Sequence, residues 1–198
     1  MTDTTIITAY TEMGDDQLSD LVCQGNHDAF SVLVMRHTAV CLNLARRTLN
    51  NNADADDVVQ LVFVKYWQNP TLWNPNKSRL STWLYTVTLN ACRDWIRKHA
   101  KHSAQEISNS IEPQADDWLT DFEAQTESHE KKRRLNIAIS SLPSMQRDAI
   151  NLAMYTLLPQ REIAAVLGVS IKALESLLMR AKKALAQKLA TPMAEAEL

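Results

Sequence analysis

Thr86, Asn90, Arg93 and Arg97 follow one another at steps of four, three and four residues. On a helix that spacing gathers an hydroxyl, an amide and two guanidinium groups onto a single polar face. Lys98, Lys101, Lys77 and Arg79 add positive charge nearby, and Asp94 is the only acid between Lys77 and Lys101. Guanidinium and ammonium groups neutralise phosphate, while Trp73 and Trp83 offer planes on which unstacked bases can rest. A solvated helix face beside core tryptophans accounts for the same residues, so this cluster alone decides nothing.

A second constellation runs from Gln160 to Met179. Glu162 to Leu167 reads as a short amphipathic helix, Gly168-Val169-Ser170 as a tight turn, and Ile171 onward as a second helix. Ala164 is small where two helices must cross closely, and Gly168 can take the positive φ that the turn requires. Ile163, Leu167, Val169, Leu174 and Leu177 are expected on the inner faces, with Ser170 capping the second helix. The pattern is that of a helix-turn-helix for duplex DNA, its alternative being a purely structural helical hairpin. A third cluster, Asp54, Asp56, Asp57 and Gln60, gathers acids and an amide at one end of an apolar helix. Acids suit a helix N-terminus through its dipole, which covers Asp54 and Asp56. Asp57 and Gln60, three apart, share a face suited to a basic partner surface.

The elements that must carry these groups are helical throughout. Only 3 of the 198 residues are Gly and β-branched alternation is scarce, which predicts an all-α chain. Phe30, Leu33, Val34, Cys41, Leu44 and Ala45 form one stripe of a long helix that Asn50-Asn51-Asn52 breaks. Asp54 to Trp67 makes the next helix, and Pro70 and Pro75 bracket a loop. Ser81 to Lys98 makes a third, with Leu84, Val87, Ala91 and Trp95 expected to face the core. The organisation expected is a tail (1–14), a helical domain (15–101), a linker (102–130), a second small helical domain of helix-turn-helix, winged-helix-like character (131–190), and a tail (191–198). Within the linker, Trp118, Leu119 and Phe122 are candidates for docking.

Charge follows the same division. Residues 1–101 balance 10 basic against 10 acidic side chains; residues 102–130 hold 8 acids and no Lys or Arg; residues 131–190 hold 11 basic and 3 acidic. The overall −2 therefore hides a cationic C-terminal module behind an acidic tether. No apolar run is long enough to cross a membrane, and Met1 to Thr5 lacks the pattern of a signal peptide. Cys23, Cys41 and Cys92 have no CxxC spacing and are expected to be buried, reduced thiols of a cytoplasmic protein. The histidines are scattered, with surface positions expected for most. No phosphate loop, metal-ligand spacing or nucleophile–base constellation is present, so neither an enzyme nor a cofactor is expected.

Together the motifs resemble a known family. Asp56-Asp57-Val58-Val59-Gln60, Phe63 and Trp67, then Ser81-Thr82-Trp83-Leu84, then Asn90, Asp94 and Arg97-Lys98 resemble domain two of extracytoplasmic-function sigma factors. Leu142-Pro143, Gln146-Arg147 and Glu162-Ile163-Ala164 through Arg180-Ala181 resemble their domain four. The resemblance implies a dissociable promoter-specificity subunit of bacterial RNA polymerase. It implies that Asp56, Asp57, Gln60 and Phe63 dock on the clamp coiled coil of the largest polymerase subunit, and that domain four meets the flap of the second-largest. It implies capture of the unwound minus-ten element by Lys77, Arg79, Trp83, Thr86, Asn90, Arg93, Arg97 and Lys98, with Asn90 lining a pocket for a flipped base. Ser170, Ile171, Lys172, Glu175, Ser176 and Met179 would face the major groove of the minus-thirty-five element, with Arg180 and Lys183 nearer the phosphates. An anti-sigma factor is the further partner implied.

Three departures stand out. Leu61 occupies a place where the family usually has Glu. Glu175 and Leu177 stand where Lys and Arg are usual, and an acid in the groove accepts from cytosine N4 but repels phosphate. Leu158-Pro159 replaces the usual Gly-Ser before the helix-turn-helix, and Pro suits a first helical turn. Two other readings compete. One is a stand-alone helix-turn-helix regulator, which binds duplex DNA as a dimer without polymerase; the other is an interaction protein that only sequesters a partner.

Overall fold

The computed structural model describes residues 10–49, 51–103 and 127–190, and every element in them is helical. The candidate docking residues of the linker, Trp118, Leu119 and Phe122, lie outside the described residues. Two compact units separate, Met1–Gln105 and Glu106–Leu198.

The first unit holds α1 (Asp15–Cys23), α2 (His27–Leu49), α3 (Asn52–Gln68), a 3-10 turn (Pro70–Leu72) and α4 (Leu80–Ser103). Local chemistry sets the boundaries. Gly25 takes φ 81° after α1, which lets the Asn26 amide reach back to the Leu21 carbonyl. The Asn26 side chain then accepts from the Ala29 amide at 2.9 Å and opens α2. Asn51 does the same for α3 by accepting from Asp54 N at 3.2 Å.

Packing of α2, α3 and α4 on one another, with α1 against α2, buries Leu18, Val32, Leu33, Val58, Val62, Tyr66, Leu80, Leu84 and Leu89. Tyr66 points inward from α3 and is buried, and it donates its hydroxyl to Ser19 Oγ on α1 at 2.7 Å, which satisfies the one polar atom of its side chain. The inward stripe of α4 differs from the one expected. Leu84, Tyr85, Thr88, Leu89 and Cys92 are buried, whereas Val87, Ala91 and Trp95 are half-exposed. Cys41 and Cys92 are buried thiols, and burial pushes Cys41 up to about 12. Cys23 departs from expectation: it ends α1 on the exposed side.

His37 is a buried histidine paired across the helices. Its Nε2 lies 2.8 Å from Asp15 Oδ2, and Arg36 Nη1 donates to Asp15 Oδ1 at 2.9 Å. Arg36 Nη2 also donates to the Thr11 carbonyl at 2.8 Å, so the cluster ties α1 and the chain before it to α2.

The second unit holds α5 (Glu127–Ser140), α6 (Ser144–Tyr155), α7 (Gln160–Leu167) and α8 (Ile171–Ala190). Helix α5 starts earlier than expected, four residues inside the stretch assigned to the linker, while α4 runs two residues past the first domain's expected end. The core of the second unit is built mainly from Ile139, Leu142, Ile150, Leu152, Ile163, Leu167, Leu174, Leu178 and Leu185, with the polar Asp148 and Asn151 of α6 also buried. Among the described residues no helix is long and apolar enough to cross a membrane, and no group of His, Cys, Asp and Glu could hold a metal ion.

The hydrogen bond with His37, then the bond from Arg36, holds the Asp15 carboxyl below its ordinary 3.8 against the opposing pull of burial. A depressed folded pKa stabilises the native state above the unfolded carboxyl's pKa and loses that contribution as pH falls through the folded value. Asp15→Asn is expected to cost about 1–2 kcal/mol at neutral pH. In urea titrations the gap to wild type should close below about pH 4.

Candidate nucleic-acid and polymerase interfaces

Three surfaces carry the expected site residues. On α3, Asp57 and Gln60 are exposed on one face, together with Leu61 (59% exposed) and Val64 (41%). Asp56 is engaged with Arg46 of α2 at 2.9 Å, so it belongs to an ion pair at the rim as well as to the surface. Phe63 is not an outward contact. It is buried at 6% exposure and forms part of the lining of an apolar groove of about 460 Å³ between α2 and α3. Phe30, Val34, Leu42, Val59, Val64 and Trp67 complete the apolar lining, with Gln60, Arg46 and Asp56 among its polar residues. Phe30 and His27 pack on Trp67 with ring centroids 4.9 and 4.4 Å apart. Sequence reasoning missed this groove because Phe30 and Val34 read as core; the structure leaves them half-buried.

The second surface combines the loop before α4 with the outward side of α4. Trp73 is buried, which removes it as a plane for bases, and its indole Nε1 donates to the Ser78 carbonyl at 3.0 Å. Asn74 Oδ1 accepts from the Asn76 amide at 2.9 Å, and Lys77 N bonds back to Asn74 O. The loop so fixed presents Lys77 and Arg79 to solvent. Trp83 is half-buried with its ring 5.6 Å from that of Tyr66, so it serves the core and keeps one edge outside. Thr86 is half-exposed and donates its hydroxyl to the Thr82 carbonyl at 2.8 Å, which leaves the oxygen free to act only as an acceptor. Asn90 is exposed and its Oδ1 accepts from Arg93 at 3.4 Å. Arg97 pairs with Asp94, and Lys98 is exposed. Asn90 also lines a cavity of about 220 Å³ with Leu61, Val62, Lys65, Val87, Ala91 and Asp94.

The third surface is the helix-turn-helix. Gly168 adopts φ 68°, ψ 33°, and the amides of Gly168 and Val169 close on the carbonyls of Ala165 and Ala164. Ser170 Oγ accepts from the Ala173 amide at 3.2 Å, as a cap should. Pro159 opens α7, with the Glu162 amide bonded to its carbonyl at 2.8 Å. The buried stripe of α8 is Leu174, Leu178, Ala181 and Leu185; Leu177, expected inside, is half-buried beside it. Rotation on that stripe turns Ile171, Lys172, Glu175, Met179, Arg180 and Lys183 to solvent, with Ser170 exposed at the cap and Ser176 half-exposed. Arg180 Nε donates to the Ser176 carbonyl at 3.2 Å, which draws its head along the helix.

Residues 33–102 match the family Sigma-70 region 2, and residues 133–185 match Sigma-70, region 4. The RNA polymerase sigma factor CnrH of Cupriavidus metallidurans is 30% identical over 176 residues, covering 86% of this chain and 92% of that one. The chain belongs to the extracytoplasmic-function RNA polymerase sigma factors. The ECF RNA polymerase sigma-E factor of Escherichia coli is 26% identical over 183 residues, 89% of this chain and 95% of its own. A solved structure of CnrH in complex with the cytosolic domain of CnrY superposes with a TM-score of 0.66 at 28% identity, covering 88% and 96% of the two chains. The sigma factor RpoE of Bartonella quintana, solved with the anti-sigma factor NepR, has the same fold at a TM-score of 0.64 and 21% identity, covering 81% and 96%.

This sigma factor is an alternative specificity subunit: it directs core RNA polymerase to promoter DNA for transcription initiation. The alternative of a stand-alone helix-turn-helix regulator is not better supported by these matches. Sigma factors of this family are not themselves enzymes.

Gly168 has open space around the position of a Cβ, so a substitution there meets backbone strain alone. Gly168→Ala is expected to destabilise the second unit by about 1 kcal/mol, and Gly168→Asn by less. Thermal denaturation of the full chain followed by circular dichroism would measure both.

Proposed function

We propose that the three surfaces divide the work of promoter selection among them. The exposed face of Asp57 and Gln60, with Asp56 and Arg46 at the groove rim and Phe63 in its lining, docks on the clamp coiled coil of the largest polymerase subunit. Leu61 in place of the usual Glu exchanges one polar contact there for an apolar one. The second unit meets the flap of the second-largest subunit. Lys77, Arg79, Trp83, Thr86, Asn90, Arg93, Arg97 and Lys98 take the unwound minus-ten strand, the cations along the phosphates and Asn90 at the edge of a flipped base. An amide both donates and accepts, which suits a Watson–Crick edge.

The helix-turn-helix reads the minus-thirty-five element through Ser170, Ile171, Lys172, Glu175, Ser176 and Met179, with Arg180 and Lys183 on the backbone. The observation that carries this reading is the rotation of α8, which places these residues opposite a continuous buried stripe. A protein partner of anti-sigma type holds the factor inactive; the complexes of CnrH with CnrY and of RpoE with NepR support that expectation. The place of action is the cytoplasm, where polymerase and chromosome are.

Run-off transcription with core polymerase on a randomised promoter library tests the whole reading: transcripts from a defined promoter class are expected, and none at all would refute it. Asp57→Ala and Gln60→Ala should each weaken binding to core enzyme about five- to thirtyfold while leaving helicity unchanged, as losing an interfacial hot-spot contact of 1–2 kcal/mol requires. Equal affinity for core in both variants would move the docking surface elsewhere. Asn90→Ala should slow promoter opening and flatten preference at a single minus-ten position, read by permanganate footprinting on single-base promoter variants.

A further inference from the structure

Glu175 is the one acid among the six charged side chains of α8. It is exposed, and among the described residues it has no ion-pair or hydrogen-bond partner. It sits on the outward face one helical turn from Ile171 and one turn from Met179, which are 45% and 66% exposed. The rest of the helix is cationic, so the segment as a whole suits a polyanion and this one group does not.

A carboxylate brought against DNA is repelled by phosphate, and it is tolerated only where a base supplies a donor. Ionised, it can only accept. The major-groove edge holds two kinds of amino donor, adenine N6 and cytosine N4. Adenine N6 is flanked by the N7 acceptor, which repels a carboxylate; cytosine N4 is flanked by a C–H. A carboxylate facing the groove therefore favours cytosine. Ile171 and Met179 ask for an apolar neighbour, and the C5-methyl of thymine is the one apolar group on that edge. Four residues of helix span about 6 Å, close to two base-pair steps.

We propose that Glu175 accepts a hydrogen bond from cytosine N4 and that Ile171 and Met179 seat against thymine methyls within about two base pairs of it. A cytosine bordered by thymines is then the centre of the upstream element this helix selects. The inference rests on the reading that α8 lies in the major groove of the minus-thirty-five element, and it goes beyond that reading by naming the bases.

The test is selection by the reconstituted holoenzyme from promoters randomised across the upstream element, with the downstream element fixed. Wild type should enrich cytosine at one position of one strand by about tenfold or more, the discrimination of a well-made base contact. E175Q should exchange that preference for adenine, because a carboxamide pairs with N6 and N7 together. Replacing the neighbouring thymines by deoxyuridine, which lacks the methyl, should weaken wild-type binding severalfold and leave M179A less affected. A selected element without cytosine, or one that E175Q leaves unchanged, overturns the proposal and spares the sigma-factor assignment. A holoenzyme that starts transcripts but selects no upstream element overturns both the proposal and the placement of α8 in the groove.

Discussion

Burial of Leu174, Leu178, Ala181 and Leu185 along one side of α8 fixes the rotation of that helix about its own axis. Everything α8 presents outward follows from it, because successive helical residues are about 100° apart and a slip of one position would turn Lys172, Glu175 and Met179 toward the core. The turn before it makes the same demand from the other end. Gly168 in the left-handed region and the Ser170 cap set where α8 begins, so stripe and start agree on a single register. In the first unit the corresponding constraint is the stripe of Leu84, Tyr85, Thr88, Leu89 and Cys92, which leaves Asn90 outside. Both outward faces, proposed above to read promoter DNA, are thus by-products of apolar packing on their far sides.

Electrostatics act on a different scale in each unit. Arg46 with Asp56, and Arg97 with Asp94, are pairs with at least one exposed partner, worth little for stability. Their effect is to hold long side chains in place and to moderate the local field. Residues 131–190 instead carry a large excess of Lys and Arg, several of them on α8. Such an excess attracts any duplex and makes binding fall with salt, while discrimination among sequences must come from the few groups that touch base edges.

Much of this was legible in the residues. The helices, the helix-turn-helix, the Gly168 turn and the Ser170 cap rest on local rules, and local rules were enough. The failures share a cause: they depend on which neighbour a side chain meets. Helix α4 is apolar on more than one side, so periodicity alone picked Val87 and Ala91 where tertiary packing buries Tyr85, Leu89 and Cys92. Phe30 and Val34 look like core and yet line an open groove, because among the described residues no further helix covers that side. Trp73, which offered either a plane for bases or a core ring, is drawn in by the loop itself, and Phe63, expected to dock on polymerase, lines the groove at 6% exposure. The pairing of His37 with Asp15 spans 22 residues and leaves no local mark.

The indole of Trp73 bonded to the Ser78 carbonyl has a consequence for the segment it spans. A connection rich in Asn, Pro and Ser would ordinarily sample many shapes, and each would have to be abandoned on meeting a strand of nucleic acid. Here that loss is taken at folding, together with the burial of a large aromatic ring. Lys77 and Arg79 are then held on a preformed ledge, and the phosphate contact proposed for them would return more of its attraction as affinity.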